Sequence, residues 1–356
     1  MAIRNLHRWA LAALSCCALL GLAPAAEAQS SSPQGSLEAA TYKGADRQQR
    51  LVAAARKEGS LLLYTSAPPD DVAILTNTFE QKYGVKVRVW RASAENILNR
   101  TATEARGNRF EVDIIDTNGP EMESLHREKL LQAVDSPYLA DLIPQAIRPH
   151  REWVGTRLNI FAFGYNSNLV KKADLPKTYE DLLDPKWKGK LGVDATDDDW
   201  FSAVVGVLGE ARGLKLFRDL VAKNGISVRK GHTLLTNLVI SGEVPMALTV
   251  YNYKAEQLKN KGAPIDWFVI SPAIARSNGA GVLRRAPHPN AAVLYYDFML
   301  TDAQSILLKR DFVPTSKKAD TKLNRMPLKF IDAAVVLDEN DKWNKLFDEI
   351  FVKQAK

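Results

Sequence analysis

The chain has 356 residues, 46% of them hydrophobic and 25% charged, with a formal net charge of +7. That hydrophobic share is ordinary for globular proteins, and the length suffices for two domains of roughly 100–200 residues each. Basic residues are interspersed with acids, as in "SKKADTK", without the aromatic-interleaved basic clusters that nucleic-acid binding uses, so no nucleic-acid partner is expected.

The first predicted element is a targeting segment. Arg4, His7 and Arg8 precede the apolar run "WALAALSCCALLGLA", and Ala26-Glu27-Ala28 closes it. This is the layout of a secretory signal peptide, residues 1–28, cleaved before Gln29. The run is shorter than the roughly 20 residues a membrane-spanning helix needs. Cys16 and Cys17 both lie within it, so the mature chain would have neither a disulfide nor a thiolate metal site. A Ser/Pro/Gln-rich stretch begins at Gln29, and residues 29–40 read as a flexible leader.

Strands and helices then alternate. The spacing predicts a helix over 47–59 that stops at Gly59, a buried strand "SLLLYTS", a helix over 70–84, an alternating strand "VKVRVW", a helix over 93–108 with Ser93 as N-cap, and a strand "FEVDIID". A second set follows: strand "RLNIFAFGYNS", a short helix "TYEDLLDPKW", strand "GKLGVD", one or two helices over 199–225, a helix over 231–243 and strand "VPMALTV". Strand "IDWFVIS", a long helical stretch over 290–311 and closing helices through residue 354 complete the chain. Such alternation implies a largely parallel α/β sheet in each of two lobes, with a ligand held between them where strand ends and helix N-termini point.

Enzymatic signatures are missing. There is no G-x-S-x-G, no H-E-x-x-H and no P-loop, and the mature histidines, His126, His150, His232 and His288, stand singly in the sequence. No enzyme is expected.

The segments "LPKTYEDLLDPKWKGKLGV", "VISGEVPMAL" and "RRAPHPNAAVLYYDFMLTDAQSIL" resemble the periplasmic substrate-binding proteins of ABC importers, in the family 1 solute-binding group that includes the ferric-iron binders. The resemblance runs from "GSLLLYTSA" to the final helices. It implies a type II fold, two α/β domains joined by a hinge, with 41–155 and 272–312 as the first lobe and 156–271 and 313–356 as the second. It also implies a monomeric periplasmic receptor that hands a small ligand to a membrane permease and its ATPase.

Iron-binding members of that group pair two adjacent tyrosines with a histidine and a carboxylate. Here the histidine position falls near Pro68, the carboxylate position near Asn118, and the tyrosines read Tyr251-Asn252-Tyr253. In an extended segment residues i and i+2 share a face, so both phenols could converge. Fe(III) prefers anionic oxygen and can deprotonate a phenol, so Tyr251 and Tyr253 are the candidate metal ligands if iron, with a synergistic anion, is the cargo. No cofactor is otherwise expected. For an organic anion, a carboxylate or phosphonate, the candidates are Arg157, where the group tends to face an arginine to the anion, together with Ser66, Ser93, Thr117, Asn118 and both tyrosines. Asp199 and Trp200 would face a ligand carrying an amine. The plain alternatives are an N-cap for Ser93, a turn for Asn118-Gly119-Pro120, an ion pair for Arg157 and dipole capping for Asp197-Asp198-Asp199.

Overall fold

Glycines and prolines punctuate the chain where the sequence places them. The computed structural model describes residues 33–354, so the signal peptide and the start of the leader lie outside the described residues. The first set of elements is α1 (Pro33–Thr41), α2 (Arg47–Glu58), β1 (Ser60–Thr65), α3 (Pro69–Tyr83), β2 (Lys86–Arg91), α4 (Ala94–Arg106), β3 (Ile114–Asn118), α5 (Gly119–Arg127) and β4 (Leu131–Gln132). Gly59 and Gly84 end α2 and α3 at φ 76° and 74°, left-handed positions that cost glycine little. Pro69 opens α3, with Asp70 and Asp71 in the first turn against the helix dipole.

The second set is β5 (Val154–Asn166), β6 (Leu191–Asp194), α6 (Asp198–Leu208), α7 (Glu210–Asn224), β7 (Ser227–Arg229), α8 (His232–Ser241), β8 (Met246–Tyr251), α9 (Asn252–Asn260) and β9 (Ile265–Phe268). Then come β10 (Ala273–Leu283), α10 (Pro289–Leu300), α11 (Asp302–Lys309), β11 (Val313–Pro314), β12 (Leu328–Phe330), α12 (Ala333–Asp338) and α13 (Asn340–Phe347). The strand order is β2-β1-β3-β10-β5-β8-β6-β7. β1 is parallel to β2 and β3, and β6 is parallel to β7 and β8. β5 joins the two groups: its first half pairs antiparallel with β10, its second half antiparallel with β8 and β9.

Packing explains three departures from the sequence reading. α1 occupies the end of the predicted leader, with Ala39 and Ala40 buried as it packs on α10. The long helical stretch is two helices, α10 and α11, parted at Thr301; α10 is buried almost all round, and its Asp297 pairs with Arg47 of α2. β10 was not expected, because "RSNGAGVL" is poor in strand formers. Its glycines answer to close approach. A Cβ on Gly279 would lie 2.5 Å from the Trp153 ring, and one on Gly281 would lie 2.7 Å from Met122 Cε. No described helix is long and apolar enough to cross a membrane.

Candidate functional site

The two sets of elements meet around one arginine. Arg276, from β10, is buried and reaches toward the ends of the β6–β8 strands. Its Nε donates to Asp199 Oδ2 at 2.6 Å, Nη2 to Asp199 Oδ1 at 2.5 Å and Asp197 Oδ1 at 3.1 Å, and Nη1 to the Tyr251 hydroxyl at 2.7 Å. Asp197 and Asp199 are there because β6 ends at Asp194 and α6 begins four residues later, turning consecutive acids into its N-cap and first turn. Asp199 also accepts from the Trp200 amide.

Tyr251 and Tyr253 come together, though not as two residues of one strand. Tyr251 ends β8, whereas Tyr253 lies in the first turn of α9. The change of direction still sets the rings nearly parallel, 5.9 Å between centroids and 13° between planes. Tyr253 stacks on Phe312 at 4.0 Å, and Tyr251 lies 4.2 Å from the His232 ring. Burial raises both phenols above their ordinary range, more than Arg276 beside Tyr251 and Arg157 beside Tyr253 lower them. Without a bound cation both are therefore neutral.

Arg157 does not stand open toward an anion. It is buried on β5, with Nη1 2.9 and 3.1 Å from the two Asp116 carboxylate oxygens, the structural ion pair that such a residue can equally serve. Removing one partner of a buried pair leaves the other charge uncompensated, so Arg157→Met should cost about 3–5 kcal/mol of stability. Chemical denaturation measures this. Loss of ligand affinity at unchanged stability would instead return Arg157 to the cleft.

The other candidates are distributed around the same strand ends. Thr117 donates to the Ser66 hydroxyl at 3.0 Å, tying the tips of β3 and β1. Ser93 accepts from Asn96 N at 3.3 Å as the N-cap of α4. Asn118 precedes α5 and accepts from Asn278 Nδ2 at 3.2 Å. Trp200 turns inward, 1% exposed and edge-on to Phe217. That leaves Trp200 in the core, with Asp199 alone of the two at the arginine.

Four further residues belong to this constellation: Asp197, which the sequence offers within an acidic run that could attract a cation or cap a helix, and Glu121, His232 and Arg91, which the sequence does not mark as site residues. Glu121 follows Asn118 by one helical turn, which brings a carboxylate to the position where Asn118 supplies an amide, and its Oε2 is buried without a partner. Asp197 Oδ2 is likewise buried and unpartnered. His232 opens α8, with Nε2 3.3 Å from Asp197 Oδ1. Arg91 ends β2, its Nε donating to Ala67 O at 2.8 Å, and among the described residues no carboxylate lies within ion-pair distance of it. A sequence signal shared by the first three was their place at a strand end or first helical turn.

The site is rich in acid. Burial, together with the nearby Asp199, holds the Glu121 carboxyl up at about 7 against the pull of Arg276. Burial and then Asp199 hold Asp198 up at about 7. For His232, burial disfavours the charged ring, but Asp197 outweighs it and the net shift is upward. All three groups bind protons more tightly folded than unfolded, so their stabilising contribution is complete at acid pH and fades as pH rises through about 7. The ligand-free protein should therefore lose thermal stability between pH 6 and 8, read from melting curves at constant ionic strength. A midpoint rising over that interval would contradict these shifts.

Contacts across the mouth close the arrangement. Asp71 of α3 takes hydrogen bonds from Gln257 of α9 at 3.4 Å and from Arg310 at 2.7 Å, and Lys230 lies 3.7 Å from Glu95 of α4. Buried, acceptor-rich polar atoms from several elements thus gather at one place in the fold, the form of a candidate small-ligand site.

Comparison with known proteins agrees with that form. Residues 112–338 match the model of the family described as bacterial extracellular solute-binding protein. The Fe(3+)-binding periplasmic protein of Serratia marcescens is 27% identical over 56% of this chain and 59% of its own length, so the match spans about three fifths of that relative. Iron uptake protein A1 of Synechocystis is 24% identical over 70% of this chain and 74% of its own. Among solved structures, iron-bound HitA from Pseudomonas aeruginosa superposes with a TM-score of 0.71 at 24% identity, covering 82% of this chain and 99% of its own. AfuA from Actinobacillus pleuropneumoniae, with exogenous fructose-6-phosphate bound, superposes at 0.72 and 21%, covering 83% and 99%. The fold is that of a two-lobed periplasmic binding protein, as the sequence reading expects. With the family model matching well over half its length, the chain belongs to the bacterial extracellular solute-binding protein family.

Proposed function

We propose that this protein is the periplasmic receptor of an ABC importer and that its cargo is ferric iron, taken into the cleft between the lobes. The carrying observation is the imbalance of the site. Asp197, Asp198, Asp199, Glu121 and the Tyr251 phenol gather around one guanidinium, Arg276, with His232 beside Asp197, and two buried carboxylate oxygens have no donor. Buried acceptors without donors favour a ligand that brings positive charge or hydrogen-bond donors, since each leaves a desolvated lone pair to be satisfied. A hard trivalent ion suits this set of phenolic and carboxylate oxygens, and its charge would drive the phenol protons off. Relatives named for Fe(3+) binding and iron uptake support the choice.

Arg276 has a part in this chemistry. Its guanidinium donates to the Tyr251 oxygen and lowers the cost of forming the phenolate. Arg91, near Tyr253 at the rim, would hold the small anion that completes the coordination shell. An organic anion as sole cargo is less well served, because Arg157 and Arg276 are both neutralised by carboxylates. Export, the partner permease and the ATPase follow from the family role and the signal-like N-terminus. Native mass spectrometry of the protein taken from its own periplasm tests the reading: one iron atom per chain is expected, and a co-purified metal-free metabolite would overturn it.

A further inference from the structure

We infer that the protein carries a second binding site, for a small carboxylic acid with an apolar body of about benzoate size, at the end of β3 and β10 remote from Arg276. The two strands are antiparallel. Asn278 pairs with Asn118 beside the candidate site, and Val282 pairs with Ile114 at the opposite end. There a cavity of about 170 Å³ opens between α4, the segment leading into β3, the turn after α5 and the end of β10. The inference does not depend on the iron reading, which concerns the other end of these strands.

The wall of this cavity is apolar. Val112 and Leu283 are buried, Phe110 and Leu130 are half-buried, and Ala105 of α4 closes one side. An apolar cavity of roughly 150 Å³ stays dry and takes up benzene, so this one has room for a single aromatic ring or a short alkyl chain, whose removal from water drives its entry.

Charge decides what the body must carry. Arg109, Lys129, Arg284 and Arg285 line the cavity against one lining carboxylate, Glu104. Glu104 already accepts from Arg100 Nε at 2.6 Å and from the Tyr64 hydroxyl at 3.0 Å, and Arg284 donates to Glu152 Oε1 at 3.0 Å. Arg285 is held with Cζ 3.9 Å from the centre of the Phe110 ring and Nη1 2.8 Å from Asn108 Oδ1, which keeps a guanidinium over the apolar wall. Among the described residues no carboxylate lies within ion-pair distance of Arg109 or Lys129. Lys129 stands at φ 59° in the turn after α5, a position that glycine fills with less strain. Surplus positive charge at the mouth of an apolar cavity is complementary to an anionic group on an apolar body.

Titration of benzoate into methyl-labelled mature protein, followed by NMR of the Leu130 and Leu283 methyl groups, tests the inference. Both signals are expected to shift and saturate with benzoate. Benzyl alcohol, which lacks the charge, and acetate, which lacks the ring, should bind at least about tenfold more weakly, the factor that one hydrogen bond to a charged group commands. Arg109→Gln and Lys129→Gly should each weaken benzoate by about tenfold for the same reason, and Lys129→Gly should melt no lower than the parent, because glycine relieves the left-handed turn. Ala105→Phe, which fills the cavity from α4, should abolish the shifts; if it does not fold, the two charge variants decide. Parental benzoate affinity in folded Arg109→Gln and Lys129→Gly overturns the inference. So does a benzoate response confined to residues around Arg276, or a pair of leucine signals that only phosphatidylglycerol vesicles move, which would make this face a membrane contact.

Discussion

Tyr253→Phe is expected to reduce ferric-iron affinity by more than about 100-fold, since a ligand oxygen should count for at least as much as the groups that merely orient ligands, while leaving the protein as stable as before. The separation of the two effects follows from how the ring is held. Tyr253 is fixed by stacking on Phe312 at 4.0 Å and on Tyr251 at 5.9 Å, and phenylalanine retains that surface. Tyr251→Phe differs. Its hydroxyl accepts from Arg276 at 2.7 Å, and a hydrogen bond to a charged group is worth about 1.5–3 kcal/mol. This variant should lose iron and stability together. Equilibrium competition against a ferric chelate gives the affinities, and urea denaturation of the ligand-free proteins gives the stabilities. Equal destabilisation by both substitutions, or full iron affinity in Tyr253→Phe, would show that the phenols are packing groups.

Arg276→Met is expected to produce the largest loss of stability of any single substitution at the site. The guanidinium binds both oxygens of Asp199, one of Asp197 and the Tyr251 hydroxyl from a position only 5% exposed. Methionine approximates its aliphatic stem but leaves two or more buried carboxylates without a counter-charge, a loss of about 3–5 kcal/mol for breaking a buried pair. At roughly 2–4 °C per kcal/mol, the melting midpoint should fall by at least about 6 °C. Low pH should restore part of the loss by protonating the stranded carboxyls, and ferric iron should restore part of it by replacing the missing positive charge. A variant as stable as the parent at neutral pH would mean that the carboxylates find compensation elsewhere.

Much of the fold could be read from residue order, because β1, β2, β5, β6 and β8 are runs of apolar and β-branched residues bounded by glycine, proline or acids. β10 could not, for a physical reason: Trp153 and Met122 press on the face shared by Gly279 and Gly281, which excludes side chains there and leaves a sequence that looks like a loop. Arg276 was hidden with it. The tyrosine pair was recognised by its position, yet the turn from β8 into α9 between the two residues meant that alternation along a strand gave the wrong account of why they meet. Arg157 looked free because sequence does not reveal Asp116 as its partner across the sheet. His232 looked solitary for the same reason, since its neighbours are contributed by β6 and α6, more than thirty residues away. His126 and His150, also single in sequence, are stacked at 3.6 Å.

The most direct test of a ferric cargo is the visible spectrum of the chelator-stripped, unsubstituted protein as ferric nitrilotriacetate is added in the presence of a small carboxylate such as citrate. Two phenolates on iron should give an intense charge-transfer band that grows linearly and breaks at one equivalent, with affinity sufficient to take the metal from the chelate. A spectrum that stays colourless through several equivalents, in a protein that binds a phosphorylated sugar or another organic anion tightly, would contradict the assignment of this cleft to iron.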